Sequence, residues 1–487
     1  QVSIGTQNLK VDSGTISVNN ANLLTATTSG TVTATIAGAE TVTKLATLAE
    51  HGTNDVDAAL SIVIKSADAT ACSAAQLNTI NDATSVEVDL NNVTALASSS
   101  LTDLDTLATA ITNGQFSNAT GLTTIAVSDS PINATTLAAT IDSYDNINGV
   151  VNTTNMTLVS GATINVAAGD EITEMLDDET ASRLTIDDQA IIVTGVISVT
   201  QANKLTATTT GKVTASIDGA EQATSLDDLN ATGSNLDYND LTIVIKADDA
   251  DQCSAYQLNT INAASSLQID ASAVTGLTSD SISNIKTLLT AGNTDQFTED
   301  SFSSLATVVV NDATLDASHL VDAINAANTA TSGTVTTTVF NITEVNLING
   351  TEANFSDLLS HETDGHVSIT NQNLTVKTET AGTVSVVNAN LLTATTTGTV
   401  TATIDTTQTV AQLAELEADG GSNALTIAIK SGDAQNCTAA QLNAINAATS
   451  VDVDLDNVTA LASSNLTDLA TLHTNLAGFS NTGNIAT

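Results

Sequence analysis

The sequence predicts an α/β fold, an elongated right-handed solenoid of strand–helix coils with a parallel β-sheet. Three observations carry that expectation: the chain repeats itself, β-type runs recur inside each repeat, and clear helix-start signals stand between them. The repetition is direct. VSIGTQNLKVDSGTISVNNANLLTATTSGTVTATI begins at Val2, LTIDDQAIIVTGVISVTQANKLTATTTGKVTASI at Leu184 and VSITNQNLTVKTETAGTVSVVNANLLTATTTGTVTATI at Val367, at nearly even spacing. They divide the chain into repeat units at 2–183 and 184–366 and a partial one at 367–487. Self-similarity at a fixed period marks architectures in which each repeat buries its apolar face against the next.

Within the first unit the β-type runs are TVTATI from Thr31, LSIVIK from Leu60, SVEVDL from Ser85 and TTIAVS from Thr123, the last gap being the widest. Their period-two patterning and β-branched content read as strands, and the spacing leaves room for one turn and one helix per coil. Strand, helix, strand order with short connections favours parallel pairing through right-handed crossovers.

Among the intervening helices, the clearest start signals are CSAAQLNTI, CSAYQLNTI and CTAAQLNAI, one in each unit. Ser73, Ser254 and Thr438 stand at the N-cap, and Gln76, Gln257 and Gln441 stand three residues on, the pattern of a capping box. Cys72, Cys253 and Cys437 precede the cap, and Leu77, Leu258 and Leu442 occupy N4, the spacing of a hydrophobic staple. A second helix follows, with Leu101, Leu104 and Leu107 matched by Ile282, Ile285 and Leu288 and by Leu466, Leu469 and Leu472, a stripe expected to face the core. Between the helices lie SVEVDL, SLQIDA and SVDVDL, aliphatic inward and largely acidic outward. Leucine-rich repeats share this strand-plus-helix logic, but their LxxLxLxxN signature is absent.

Composition sets the partners. Fifty-four acidic residues face 10 Lys and Arg, a formal charge of −44, so the chain repels phosphate and anionic lipid and attracts cations. No Trp, six Phe and three Tyr leave Leu, Ile, Val, Ala and Thr methyls to build a narrow core. No run of about 18 apolar residues is present, so no membrane insertion is expected. The start at Gln1, without Met or a signal-like segment, fits a processed secreted chain or a segment of something longer.

The three cysteines admit disulfide, metal-ligand and structural readings. With about six or seven coils per unit at about 4.8 Å each, equivalent sulfurs lie roughly 30 Å apart, whereas a disulfide needs Cα atoms within about 7 Å. The structural staple thiol is favoured. His51, His319, His361, His366 and His473 repeat in no other unit, His361 and His366 replacing Asp178 and Arg183, and are read as surface residues. No G-x-S-x-G elbow or other nucleophile context appears, so no catalytic residue is assigned and the chain is read as a non-enzyme. Among acidic runs, Asp248, Asp249 and Asp251 are the candidate calcium ligands, beside Asp177, Asp178 and Glu179 and the alternating Asp452, Asp454 and Asp456. No EF-hand loop or calcium-binding nonapeptide accompanies them, and solvated acidic faces account for most such clusters. The Thr-rich TVTATI returns once per unit, not on successive coils, which argues against an ice-binding ladder. Sequons at Asn92, Asn118, Asn133, Asn155, Asn341, Asn373, Asn436 and Asn457 are compatible with attached glycans.

GQFSNATGLTTIAVSDSP from Gly114 is paralleled by GFSNTGNIAT from Gly478, and no polar capping repeat is recognisable at either end, which suggests joining to further repeats or head-to-tail self-association. The phrases LTATTTGTVTATI and AAQLNAINAATSVDVDL resemble repeats of very large acidic surface proteins of marine bacteria, including cyanobacterial cell-surface proteins linked to swimming. The resemblance implies secretion or a cell-surface location, structural or adhesive work, and calcium. The sequence therefore reads as an extracellular structural repeat protein of a filament, surface layer (S-layer) or adhesin stalk. The alternative is a carbohydrate-binding or carbohydrate-active β-helix protein, which would want an aromatic or Arg-lined groove.

Overall fold

The computed structural model describes residues 4–49, 58–145, 154–230, 239–292, 296–330, 338–342, 346–376, 383–418 and 422–485. His51 lies outside them. The chain is mixed α/β and forms two compact units: Gln1–Asp218, Asn230–Thr242 and Ala264–Ser266 make the first, and Gly219–Leu229, Ile243–Ala263 and Leu267–Thr487 make the second. This division by contact runs through the second of the sequence repeats.

Every strand pairing among the described residues is parallel. The shortest step in sequence between paired residues joins Ile197 to Ile217, and steps as long as Ile132 to Ile164 occur. In the first unit one sheet runs through Leu9–Lys10, Val32–Thr35, Ala59–Val63, Val88–Asp89 and Phe116–Ser117. A second runs through Ala95–Ser99, Thr124–Val127, Asn155–Leu158 and Leu184–Thr185, and a third through Ile132–Asn133, Thr163–Ala167, Ala190–Ile197, Val213–Ile217 and Asp240–Thr242. The second unit repeats the arrangement with Gly276–Asp280, Thr307–Val310 and Val339–Asn341, and with Thr314–Asp316, Asn346–Gly350, Asn373–Val376, Val400–Ile404 and Ala424–Thr426. Each strand thus pairs with one a single strand–helix step away, as short crossovers require. Alternation then sorts the side chains: Val32 and Ala34 are buried while Thr33 and Thr35 face out.

The two sheets correct one spacing. SVEVDL and TTIAVS do not pair with one another; Val88 pairs with Phe116, and Ile125 with Leu96 of the neighbouring sheet. The sequence carries both sheets interleaved, so a gap counted across them exceeds one step.

Helices pack in order on the steps, Ala74–Asp82 against Leu101–Thr112 and that against Ala134–Asp145, with Ala255–Ala263, Ile282–Gly292 and Ala317–Ala330 equivalent in the second unit. Leu77, Ile80, Leu104 and Leu107 are fully buried, as are Leu258, Ile261, Ile285 and Leu288. The third copy departs from the expected stripe. On Leu466–Thr474 only Leu472 is buried, and Leu466 is 86% exposed. The counterparts Leu101 and Ile282 are each 5% exposed on helices covered by the next helix, and no such cover lies on Leu466–Thr474 among the described residues.

One recurrent phrase, Thr-Ser/Thr-Gly, has a specific cause. Thr28, Thr209 and Thr396 donate their hydroxyls to the carbonyls of Gln7, Gln189 and Gln372 on the preceding step, at 2.6, 2.7 and 2.6 Å. The same oxygens accept the amides of Gly30, Gly211 and Gly398 at 2.9 Å. This brings the glycine so close that a Cβ on Gly30 would fall 2.5 Å from the Gln7 carbonyl, and those on Gly211 and Gly398 closer still to Gln189 and Gln372.

Candidate functional site

The most repeated chemistry in the molecule is a joint between successive steps, built around each Cys-containing turn. The capping boxes form in all three copies. Ser73, Ser254 and Thr438 oxygens accept the amides of Gln76, Gln257 and Gln441 at 3.2 Å, and the glutamine side chains accept the cap amides at 3.0 Å. The box leaves the amides of the first helical turn to be served from elsewhere. Ser99 and Ser464 of the next step accept from Ala74 and Ala439 at 2.9 Å, and in the middle copy Asp280 takes the Tyr256 amide at 2.6 Å.

Four residues before each cysteine stands an aspartate that serves the step behind it. Asp68, Asp249 and Asp433 accept the N1 amides of the short helices Val42–Leu45, Ala223–Leu226 and Val410–Leu413 at 2.8, 2.8 and 2.9 Å. A carboxylate at a helix N-terminus is favoured by the exposed amides and the helix dipole. The backbone carbonyls of the same aspartates accept the thiols of Cys72, Cys253 and Cys437 at 3.2, 3.3 and 3.3 Å. One Asp therefore ties the preceding helix through its side chain and its own turn through its carbonyl.

Those three thiols are fully buried and free. Burial first, and the neighbouring Asp charges second, push Cys72 and Cys437 up to about 11 and Cys253 up to about 12. A thiol held protonated and out of solvent is a poor nucleophile and a poor metal ligand. We expect no Cys to react with a water-soluble thiol reagent at neutral pH and all three to react in denaturant, read by mass; labelling of the native chain would show that the joint opens.

Hydroxyl groups close the joint from the side. Thr84 accepts the Leu60 amide at 2.9 Å and donates to the Leu60 carbonyl at 2.8 Å. Ser265 does the same for Leu241, and Thr449 for Leu425, at 3.0 and 2.7 Å and at 2.9 and 2.7 Å. Thr449→Val keeps the shape but strands both backbone groups of Leu425, and denaturant melting should register a loss of about 2 kcal/mol; an unchanged midpoint would remove the hydroxyl from the account. Asn78, Asn259 and Asn443 extend the link by donating to backbone carbonyls of the following helix at 2.9 to 3.0 Å.

Two copies differ at one place. In the first, Arg183 bridges Asp178 at 2.5 Å and Asp145 at 2.6 Å, with Asp142 at 4.0 Å. Burial, and then the crowd of carboxylates against one guanidinium, push Asp178 up to about 6 despite that pairing. In the second, the same positions hold His361 and His366, half-buried and edge-to-face with ring centroids 5.5 Å apart, which corrects their reading as surface histidines. The Nδ1–H of His366 donates to the Thr338 carbonyl at 3.3 Å, and Asn328 lies 3.4 Å from its Nε2. Burial, then the charge of His366, hold His361 below its ordinary value. The signs oppose. Asp178 has a raised folded pKa, so its contribution is lost as pH rises from about 4 through about 6; His361 has a lowered one, so its contribution is present above about 6.5 and lost as pH falls. Between pH 7 and pH 5 the wild type should therefore lose stability relative to His361→Gln and gain it relative to Asp178→Asn. Parallel melting curves for all three would refute this.

The candidate calcium ligands do not converge. Asp249 is buried and engaged with Ala223, Asp248 and Asp251 are exposed, and no three His, Cys, Asp or Glu side chains among the described residues are grouped to hold a metal ion. Asp178, Asp249 and Asp433 are buried rather than solvated. Asp454 accepts the Asp456 amide and the Asn481 side chain. His319 is half-buried and His473 exposed. Of the sequons, Asn92 and Asn457 donate the nitrogens a glycan would use to the carbonyls of Ile64 and Ile429 at 2.8 and 2.9 Å. A polar cleft of about 310 Å³ between Ala74–Asp82 and Leu101–Thr112 is lined by Asn78, Asp82, Asp105, Thr109 and Gln115 among others, with no aromatic or basic side chain.

The aspartate of the joint, Asp68, Asp249 or Asp433, is marked in the sequence only by its distance from the cysteine. Its signal is D-x-x-x-C, present as Asp68–Cys72, Asp249–Cys253 and Asp433–Cys437. No family model matches the chain, and no curated protein matches it. No helix among the described residues is long and apolar enough to cross a membrane.

Proposed function

We propose that the parallel strand–helix steps wind as a right-handed solenoid and that the protein is a non-catalytic, extracellular structural component of a filament, surface layer or adhesin stalk. The observation that carries the reading is the threefold joint: the same Asp, Cys, Ser/Thr and Gln bonds recur in each repeat, and the Asp side chain spends its bond on the neighbouring step. Bonds placed this way resist the sliding and peeling of one step from the next, which is what a load-bearing stack needs. The charge of −44 keeps such stacks apart in water and lets divalent cations, calcium foremost, bridge neighbouring copies or copies joined head to tail. Nucleic acid is no partner on the same ground.

Electron microscopy of the purified chain with calcium and with chelator tests this. Rods that join or align when calcium is present support it. Compact particles under both conditions, with the melting temperature indifferent to chelation, contradict it. A glycan array with a bound sugar would favour the carbohydrate reading instead.

A further inference from the structure

One turn recurs in both complete repeats with the same backbone bonds and different charges. In the first, the Arg183 amide donates to the Asp178 carbonyl at 2.9 Å, and the Arg183 carbonyl accepts the Met156 amide at 2.8 Å. In the second, the His366 amide donates to the His361 carbonyl at 2.8 Å, and the His366 carbonyl accepts the Phe340 amide at 2.7 Å. Side chains then finish the two turns differently. Arg183 gathers Asp178 and Asp145. His361 instead lies edge-to-face on His366, whose Nδ1–H donates to the Thr338 carbonyl and whose Nε2 faces Asn328, the counterpart of Asp145. His366 therefore joins three elements: its own helix Glu352–Thr363, the chain entering the strand Val339–Asn341, and the helix Ala317–Ala330.

Two half-buried imidazoles with centroids 5.5 Å apart are compatible while neutral, but two protons place like charges in one partly desolvated site. Compensating charge there is scarce among the described residues. The helix and turn of the histidines bring Asp357, Glu362 and Asp364, and Glu362 is engaged by the Ile369 amide. Ala317–Ala330 carries His319 and Asp322 in its first half, with Asp322 paired to Lys286. Val339–Asn341, Asn346–Gly350 and Val386–Thr395 carry no ionisable side chain. We propose that the His361–His366 turn is an acid-sensitive latch: protonation of both rings drives them apart and frees the turn from the Val339–Asn341 strand, while the Arg183 turn of the first repeat stays shut. The directions agree. Burial, then the charge of His366, hold His361 below its ordinary value, so the latch is closed above about 6.5 and opens as pH falls. Asp178, pushed up to about 6, takes up its proton with a gain in stability over the same fall. The latch goes beyond the structural role proposed above, giving one repeat a response to acid that the other lacks.

Hydrogen exchange of the full chain at about pH 7.5 and about pH 5, corrected for the intrinsic rate at each pH, tests this with an internal control, because Phe340 and Met156 donate to equivalent carbonyls. Exchange at 338–342 should rise about tenfold on acidification, and exchange at 154–158 should stay level or slow. His361→Gln removes one of the two charges and should cut the rise to about threefold or less. A variant combining Asn328→Asp, His361→Asp and His366→Arg gives the second repeat the charges of the first and should abolish the rise; if it fails to fold, His361→Gln decides. Equal acceleration at 338–342 and 154–158, or a rise at 338–342 that His361→Gln leaves unchanged, would overturn the latch.

Discussion

Replacing Gly211 with Ala should destabilise the first unit by about 3 kcal/mol, the upper end for overpacking a closed site. The added Cβ meets the Gln189 carbonyl, a backbone group that cannot swing away as a side chain tip would. That carbonyl is also held, by the Thr209 hydroxyl at 2.7 Å, and the hydroxyl in turn holds the Gly211 amide at 2.9 Å. Relief of the clash therefore costs two hydrogen bonds or a displaced step. Gly30→Ala and Gly398→Ala should behave alike, because the same triangle recurs with Thr28 and Gln7 and with Thr396 and Gln372. Gly219→Ala is the control, since a Cβ there meets nothing within 4 Å. Denaturant melting that ranks Gly211→Ala with Gly219→Ala would show that the steps do not approach as closely as described.

The second large effect is expected at Asp249. Asp249→Ala removes the acceptor of the Ala223 amide in a site where the aspartate is 5% exposed, and a buried donor left unpaired beside a lost charged hydrogen bond costs about 3 kcal/mol. Asp249→Asn keeps an acceptor oxygen and should recover about half of that. Asp248→Ala, an exposed neighbour, should stay within about 0.5 kcal/mol of wild type. The comparison separates two roles for this acidic run. A structural carboxylate gives the ordering Ala, then Asn, then wild type without regard to calcium. A calcium ligand set gives equal, calcium-dependent losses at Asp248, Asp249 and Asp251, and that outcome would restore the metal reading and displace the joint.

What could be read from the sequence was local. Ser73 with Gln76, and its two counterparts, define their helix starts within three residues, so the capping boxes are legible before any tertiary contact is known. The staple position of Cys72 beside Leu77 is legible for the same reason, and both are fully buried. What escaped were bonds that depend on which step lies beside which. Asp68 and Val42 are far apart in sequence, and nothing near either residue marks them as partners. Asp178 sits in an Asp-Asp-Glu run that reads as a wet surface, yet the single Arg in the chain pulls it inside. Interleaving of two sheets lengthened one apparent spacing, and the openness of Leu466 depends on a neighbour rather than on its own helix, whose stripe matches the buried ones.

Small-angle X-ray scattering of the 487-residue chain tests the proposed stack most directly. About eighteen steps at roughly 4.8 Å each predict a maximum dimension of about 90 Å and a rod-like cross-section. A compact globule of this length has a radius of gyration of about 23 Å and a diameter of about 60 Å. A measured maximum of about 90 Å is the expected result; one of about 60 Å would mean that the steps do not continue along one axis, and the structural role built on them would fall.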